Sequence, residues 1–396
     1  MVAARSVAHY YVKGPKSERW SLKFHIKRDI YYYGGKYLSE KPLTEDAIHL
    51  LNVQDFAAKL RKTDLPHTTI PAELGTYVES SFAVSDIEID PTKFAGIGGV
   101  AEKRLVEMAQ NDKTSHGRSR IQFDLIVSNL AQTELAKHGV RSQDMLEIKP
   151  VLARERIVLY LHGGGYMYGS PASHRKHVAN MAAMTGARTM VIDYRLAPLN
   201  LFPAQLLDAL YSFLYLLDQG FRQEDIILAG ESAGGNLVLV LALLLRHMGI
   251  GNVRGLVLIS PWVDLSCTCR SAVENTKFDY LSMPVVEFPQ NPGRMFFAPG
   301  RKLTEDLVAE LRHPLVSPLY GDFSNFPPTL IQAGTREVLY DDIVQLSEKI
   351  VSQNTHDTTN VVFEAYDDMV HVFQQFEELP DTEVAFASIG KFVRSL

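Results

Sequence analysis

The feature that most constrains this chain is a regular alternation of short apolar segments and longer helical segments that begins near residue 157. Segments rich in β-branched and other apolar residues lie at 157–161, 188–194, 225–230, 254–260, 329–334 and 361–366. Segments with helical patterning lie between or after them, at 173–185, 203–219, 232–248, 340–353 and 381–394. Strands that are apolar on both faces and alternate with helices form mostly parallel sheets covered on both sides. The sequence therefore predicts an α/β fold of that kind.

Two parts of the chain do not follow this alternation. Residues 261–319 are rich in proline, aromatic and charged residues, and we interpret them as an insertion over the C-terminal edge of the sheet. Residues 1–140 are expected to form a cap or lid region together with the first strands. Residues 141–396 are expected to form the main domain, with the insertion contributing to the cap.

One segment of the N-terminal region has an ambiguous pattern. Trp20, Leu22, Phe24 and Ile26 alternate with polar residues, which favours a strand, although the flanks are equally compatible with a helix. The stretch around these residues is locally basic and is followed by three tyrosines. Peripheral contact with a membrane is one interpretation of this stretch, and a cap over the functional site is the one we favour.

Composition excludes several classes of protein. The chain has 396 residues, is 46% hydrophobic and carries a net charge of −6, which allows a sizeable core but offers no basic surface for nucleic acid. No zinc-binding spacing of Cys and His is present, so no metal site is expected. The two cysteines, Cys267 and Cys269, are too few and too close for a disulfide framework, and we interpret them as ordinary buried or partly buried thiols.

The distribution of apolar residues predicts a cytoplasmic protein. The first 16 residues lack the continuous apolar stretch of a secretory signal. The longest apolar run, at 237–245, is about half the length that a membrane span needs.

The sharpest chemical signal is the pentapeptide from Gly230 to Gly234, which has the form G-x-S-x-G. It follows a predicted strand and precedes a predicted helix, which is the context of a nucleophile elbow. In such an elbow Ser232 lies on a tight, strained turn, and Gly230 and Gly234 are needed because a Cβ would collide with neighbouring backbone. The helix directs its positive end at the place where negative charge develops. A glycine-rich turn with a capping serine is the alternative.

A second signal is the run His162, Gly163, Gly164 and Gly165 directly after the strand at 157–161. Consecutive glycines carry an entropic cost, which is explained if backbone N–H groups must approach an oxyanion closely. We assign Gly163 and Gly164, with the N–H of Ala233, as the oxyanion hole, where loss of one donor costs about 2.7–4 kcal/mol. His162 is expected to hold the loop through a hydrogen bond. A phosphate-binding loop is the alternative, but the P-loop pattern is absent.

The remaining candidates follow later strands. Glu337 comes after the strand at 329–334 and His371 after the strand at 361–366, both at carboxyl ends, where such sheets place their ligands. His371 would accept the Ser232 proton, and Glu337 would orient the imidazole. Asp341 and Asp342 lie nearby and are alternatives to Glu337, although they suit the first turn of the next helix better.

These residues resemble the hormone-sensitive-lipase-like branch of the α/β-hydrolases. The matching motifs span roughly residues 150–394 and comprise HGGG at 162–165, DYRLAP at 193–198, GESAGGN at 230–236, SPL at 317–319, GTREVLYDD at 334–342 and the His371 loop. The resemblance implies an α/β-hydrolase fold, an esterase or lipase activity, a lid built partly from the N-terminal region, no cofactor and often a homodimer. The family usually has Asp where this chain has Glu337, and Glu and His where Leu199, Asn200 and Leu201 follow the second motif.

The leading hypothesis is hydrolysis of a carboxylic ester through an acyl-enzyme, with acetyl or short- to medium-chain acyl esters of a hydrophobic alcohol as substrates. A lactonase, an amidase or an acyltransferase would use the same residues, and a non-catalytic binding protein on the same fold is a further alternative. Aromatic residues upstream and in the insertion suggest a hydrophobic pocket; they are Trp20, Phe24, Tyr31, Tyr32, Tyr33, Phe56, Trp262, Phe278, Phe288, Phe296 and Phe297.

Overall fold

The structure is a computed structural model that describes residues 2–38, 52–55, 58, 66–114, 117–281, 286–354 and 361–396. Part of the predicted cap, including Phe56, lies outside the described residues, as do the side chains of Tyr32 and Tyr33.

The described strands form one eight-stranded sheet. They are β1 (Gly75–Ala83), β2 (Arg120–Ser128), β3 (Ile157–Leu161), β4 (Arg188–Ile192), β5 (Ile226–Glu231), β6 (Gly255–Ile259), β7 (Thr329–Gly334) and β8 (Val361–Tyr366). Their order is β1-β2-β4-β3-β5-β6-β7-β8. Strand β2 pairs antiparallel with both β1 and β4, and the other neighbouring pairs are parallel. The six predicted strands and the mostly parallel sheet are confirmed.

Helices cover both faces of this sheet. They are α1 (Val2–Lys13), α2 (Leu22–Leu38), α3 (Gly99–Asp112), α4 (Asn129–Lys137), α5 (Pro171–Thr185), α6 (Ala204–Asp218), α7 (Ala233–His247), α8 (Ser271–Glu274), α9 (Pro292–Phe297), α10 (Glu305–Leu311), α11 (Tyr340–Gln353) and α12 (Pro380–Ser395). One apolar cluster joins α3, α6, α7 and α11 to the sheet, and a second joins α5 and α12 to its other face. Burial on both faces explains why the parallel strands are almost wholly apolar.

The strand predicted around Trp20 is wrong, because this segment leads into and begins α2. Phe24 and Arg28 are four residues apart in α2 and both are buried, so they lie on one helical face. Trp20 is also buried and lies two residues before the helix begins. Trp20 and Phe24 pack against residues around the turn that follows β8, including Met369 and Phe376. Apolar residues four positions apart fit both the alternation of a strand and the period of a helix. The packing against Met369 and Phe376 selects the helix.

Hydrogen bonds tie the segment before α2 to the turn after β8. The Trp20 indole N–H donates to the Asp368 carbonyl at 2.8 Å, and the Arg19 guanidinium donates to the Asp367 carbonyl at 2.8 Å. The Ser17 hydroxyl donates to the Asp368 carboxylate at 2.9 Å. The N-terminal region therefore contacts the loop that carries a predicted functional residue.

The insertion packs onto the body of the protein between β6 and β7. The Tyr166 ring stacks on Phe296 with ring centroids 4.1 Å apart, and the Asn236 amide donates to the carbonyls of Trp262 and Val316. Cys267 is buried and Cys269 half-buried, and both are free thiols, as predicted. Among the helices in the described ranges, none is long and apolar enough to cross a membrane.

Candidate active site

Ser232 occupies a one-residue turn between β5 and α7. Its φ of 56° and ψ of −119° lie outside the regions that residues with a Cβ normally adopt. The surrounding backbone holds this conformation, since the Ser232 N–H donates to the Ile259 carbonyl and the Trp262 N–H donates to the Ser232 carbonyl, both at 2.9 Å. The turn has the strained geometry that a nucleophile elbow requires.

The two flanking glycines allow the turn to lie close to β3. A Cβ on Gly230 would lie 2.6 Å from the Leu161 carbonyl oxygen, and a Cβ on Gly234 would collide with the same oxygen. Both positions therefore exclude any side chain, for the steric reason expected from the sequence.

Ser232, His371 and Glu337 form a continuous chain of hydrogen bonds. His371 Nε2 lies 2.9 Å from Ser232 Oγ, and His371 Nδ1 lies 2.8 Å from Glu337 Oε2. Glu337 is fully buried, and its other oxygen accepts the Gly334 N–H at 3.0 Å. Because a carboxylate can only accept, Nδ1 carries the imidazole proton and Nε2 is free to receive one from Ser232.

The two alternative acids lie elsewhere. Asp341 and Asp342 are in the first turn of α11, as predicted. The Asp341 carboxylate accepts the Ser271 N–H at 2.8 Å, and Asp342 is buried near Cys269. Among the described contacts, neither carboxylate forms a hydrogen bond with His371.

The oxyanion assignment of Gly163 requires a correction. The Gly163 N–H donates to Glu231 Oε1, so this amide is already occupied inside the protein. Gly163 is buried, whereas Gly164 and Gly165 are half-buried, and in the described structure neither of their amides has an acceptor. Gly164 and Gly165 have φ values of 109° and 60°, which favour glycine. The amide of Ala233, the first residue of α7, has no intrahelical acceptor.

Glu231 is a buried residue that the sequence analysis did not single out. Besides Gly163, its carboxylate accepts the Tyr160 hydroxyl at 2.5 Å and lies 3.1 Å from His174 Nε2. Burial by itself would raise the pKa of Glu231, but the adjacent His174 and the hydrogen bonds lower it to about 2. The signal was an acidic residue at the second position of G-x-S-x-G, directly after a strand predicted to be buried on both faces.

His162 supports the same loop. Its Nδ1 lies 2.8 Å from the Gly163 carbonyl oxygen, and its ring stacks on Tyr194 with centroids 4.2 Å apart. The Tyr194 hydroxyl donates to the His162 carbonyl at 2.5 Å. Burial lowers the pKa of His162 to about 3, so the ring is neutral near pH 7. Within the described ranges, no cluster of three His, Cys, Asp or Glu side chains could hold a metal ion.

Comparison with known proteins identifies the family. A family model described as the α/β hydrolase fold matches residues 158–375, which is more than half of the chain. The chain is an α/β hydrolase. The match contains the glycine loop, the Ser232 turn, Glu337 and His371, so it covers every element of the site described above.

Two relatives of this hydrolase are an acetyl-hydrolase and an esterase. It is 34% identical to an acetyl-hydrolase of Streptomyces hygroscopicus, over 63% of this chain and 78% of that protein. It is also 34% identical to an esterase of Acinetobacter venetianus, over 65% of this chain and 80% of that protein.

Solved structures share the fold over almost the whole chain. A crystal structure of an esterase from the bacterial hormone-sensitive lipase family matches with a TM-score of 0.60 and 24% identity, covering 96% of this chain and 99% of that one. The structure of EstE5 matches with a TM-score of 0.60 and 25% identity, covering 92% and 97%. The hydrolase is a carboxylic ester hydrolase, as the sequence resemblance implies, and it shares its fold with an esterase of the bacterial hormone-sensitive lipase family.

Proposed function

We propose that Ser232 is the nucleophile, His371 the general base and acid, and Glu337 the orienting carboxylate of ester hydrolysis. The observation that carries this proposal is the chain of hydrogen bonds from Ser232 Oγ through His371 to Glu337, at 2.9 and 2.8 Å. Ser232 Oγ attacks the ester carbonyl while its proton passes to His371 Nε2, and the imidazolium then protonates the departing alkoxide. The acyl group remains on Ser232 as an ester.

Water completes the cycle by the reverse proton movements. His371 removes a proton from water, the hydroxide attacks the acyl carbonyl, and the carboxylic acid leaves as Ser232 Oγ regains its proton. Glu337 stabilises the imidazolium in both halves of the reaction without being protonated.

The oxyanion formed in each half needs hydrogen-bond donors. We assign this role to the amides of Gly164, Gly165 and Ala233, because those of Gly164 and Gly165 have no acceptor in the described structure and that of Ala233 begins a helix. The positive end of α7 adds a favourable partial charge at the same place. Glu231 would then hold the loop in position through the amide of Gly163.

Replacing Glu231 with glutamine is expected to lower kcat by about 10- to 100-fold, less than the 10²–10³ for outright loss of one oxyanion donor. The glutamine is uncharged and loses the ion pair with His174, so it holds the Gly163 N–H less strongly and the glycine loop would shift. KM should change little. The measurement is steady-state kinetics on p-nitrophenyl butyrate together with thermal unfolding.

Glu155→Gln is the matched control for this variant. Glu155 is also buried, and its carboxylate pairs with Arg188 at the start of β4, the end of the sheet opposite the site. This control should lower the unfolding temperature but keep the wild-type kcat. If Glu231→Gln and the wild type have equal kcat values, the Glu231 carboxylate is not needed to hold the glycine loop in position.

Substrate choice is proposed from the relatives and from the residues around His371. Tyr280 of the insertion has its ring centroid 6.3 Å from that of His371, and Tyr31 of α2 lies 5.8 Å from Tyr280. These contacts support a cap of α2 and the insertion over a site for a hydrophobic alcohol group. Trp20 and Phe24, by contrast, are buried in the packing beneath. A homodimer and a membrane contact stay predictions.

The proposed substrates are acetyl and short- to medium-chain acyl esters, in line with the named acetyl-hydrolase relative and with EstE5, whose crystals were soaked with p-nitrophenyl butyrate. We expect kcat/KM for p-nitrophenyl esters to be highest between acetate and octanoate and to fall for laurate. An anilide, a lactone and an added alcohol acceptor test the amidase, lactonase and acyltransferase alternatives. The proposed substrate class would be overturned if kcat/KM were higher for the anilide or the lactone than for the p-nitrophenyl esters, or if it were highest for laurate. Transfer of the acyl group to the added alcohol in preference to water would also overturn it.

A further inference from the structure

Asp279 is a fully buried carboxylate in the insertion, just after α8, to which the sequence analysis gave no role. Its Oδ2 accepts the N–H of Val338 at 2.9 Å, and its Oδ1 accepts the N–H groups of His371 and Leu281, each at 3.3 Å. Val338 directly follows Glu337. One side chain therefore bridges the backbones of the two loops that carry Glu337 and His371.

The turn that carries Asp279 is itself held from two sides. The buried Arg28 of α2 donates to the carbonyls of Phe278 and Asp279, both at 2.6 Å. Asn275, at the start of the same turn, donates to the Glu337 carbonyl at 2.9 Å. The turn that carries the carboxylate is thus fixed to α2 on one side and to the Glu337 loop on the other.

The chemistry of the contact requires a carboxylate. Three N–H donors converge on two oxygens, and a carboxylate has acceptor capacity on both while it carries no donor of its own. Burial raises the pKa of the Asp279 carboxyl to about 6, so the group is ionised at about pH 8. An amide could satisfy one side only, because its NH₂ group would face an N–H on the other.

We propose that Asp279 is a positioning residue that sets the spacing between Glu337 and His371, a role that rests on the function proposed above for those two residues. Asp279 acts through the backbone and touches neither substrate nor the reacting oxygen. Misplacement of a catalytic group by about 1 Å costs about 10²-fold in rate. A shift of either loop would lengthen the hydrogen bond between His371 Nδ1 and the Glu337 carboxylate.

Asp279→Asn is expected to lower kcat for p-nitrophenyl butyrate by about 10- to 100-fold with a much smaller change in KM, because Asp279 itself does not contact the substrate. The matched control is Asp264→Asn in the same insertion. Asp264 is also buried and accepts the Ser266 N–H and the Tyr320 hydroxyl, neither of which belongs to the loops of Glu337 and His371. The control is expected to keep the wild-type kcat at temperatures where it is folded. If it loses as much kcat as Asp279→Asn, the loss is a general effect of disturbing the insertion.

A double variant separates positioning from general stability. In a Glu337→Gln background, Asp279→Asn should lower kcat by less than about twofold, because the pair that it positions is already lost. A purely structural role predicts the same factor in both backgrounds, and that result would overturn the proposal. Asp279→Glu, which keeps the charge, should have a kcat between wild type and Asp279→Asn, and it replaces the amide variant if that one does not fold. Wild-type kcat in Asp279→Asn overturns this proposal alone, whereas wild-type kcat in Glu337→Gln overturns the triad itself.

Discussion

Replacing Ser232 with alanine is expected to lower kcat on p-nitrophenyl butyrate by about 10⁶-fold while leaving the fold intact. Loss of the nucleophile in a comparable triad costs about 2 × 10⁶-fold, and the rate that remains comes from the oxyanion donors and from substrate binding. The change removes one oxygen from a half-buried side chain whose backbone bonds remain. The unfolding temperature should therefore stay near that of the wild type.

Intact-protein mass spectrometry with a fluorophosphonate probe checks the same assignment directly. We expect a single adduct on the wild-type protein and none on Ser232→Ala. Ser212→Ala is the control, because the Ser212 hydroxyl is buried in α6 and donates to the Asp208 carbonyl of the same helix. Ser212→Ala should form the same adduct as the wild-type protein and have the same kcat. An adduct that persists on Ser232→Ala would mean that another residue is the activated nucleophile.

Glu337→Gln is expected to lower kcat by about 10⁴-fold, the effect of the equivalent change in a serine protease triad. The glutamine amide would stabilise the wrong imidazole tautomer, with Nδ1 unprotonated and Nε2 unable to accept the Ser232 proton. Because Glu337 is fully buried and its Oε1 also accepts the Gly334 N–H, we expect a moderate loss of stability as well. Kinetics at temperatures well below unfolding separates the two effects.

Asp342→Asn is the matched control for this variant. Asp342 is buried five residues further along the same segment, and burial raises its pKa to about 7, so the amide replaces a group that is half neutral near pH 7. We expect the wild-type kcat and unchanged or higher stability. If Asp342→Asn were the inactive variant and Glu337→Gln the active one, the acid of the triad would be wrongly assigned.

Local sequence patterns were sufficient to predict the body of the fold and to place Ser232, Glu337 and His371 at one edge of the sheet. Buried parallel strands must be apolar on both faces, so the six segments from residue 157 onward could be recognised without any tertiary contact. Ser232, Glu337 and His371 each come within five residues of the end of such a strand, and the carboxyl ends of parallel strands meet at one edge of the sheet. Their proximity therefore follows from chain order and strand direction.

Other features depend on groups far apart in the sequence. The segment around Trp20 and Phe24 suited a strand or a helix equally, and packing against Phe376 selects the helix. Gly163 has the same local pattern as Gly164, and only the carboxylate of Glu231, on the neighbouring strand, occupies its amide.

The sequence by itself thus determined the parallel α/β sheet, the tight turn at Ser232 and the chain order of Ser232, Glu337 and His371, because these depend on periodicity and on residues adjacent in the chain. The tertiary structure decided which glycine amides remain unpaired and that Asp279 bridges the loops of Glu337 and His371. The physical reason is that a buried polar group must be satisfied by whichever partner the fold brings to it, and that partner lies 59 residues away for Val338 and 92 for His371.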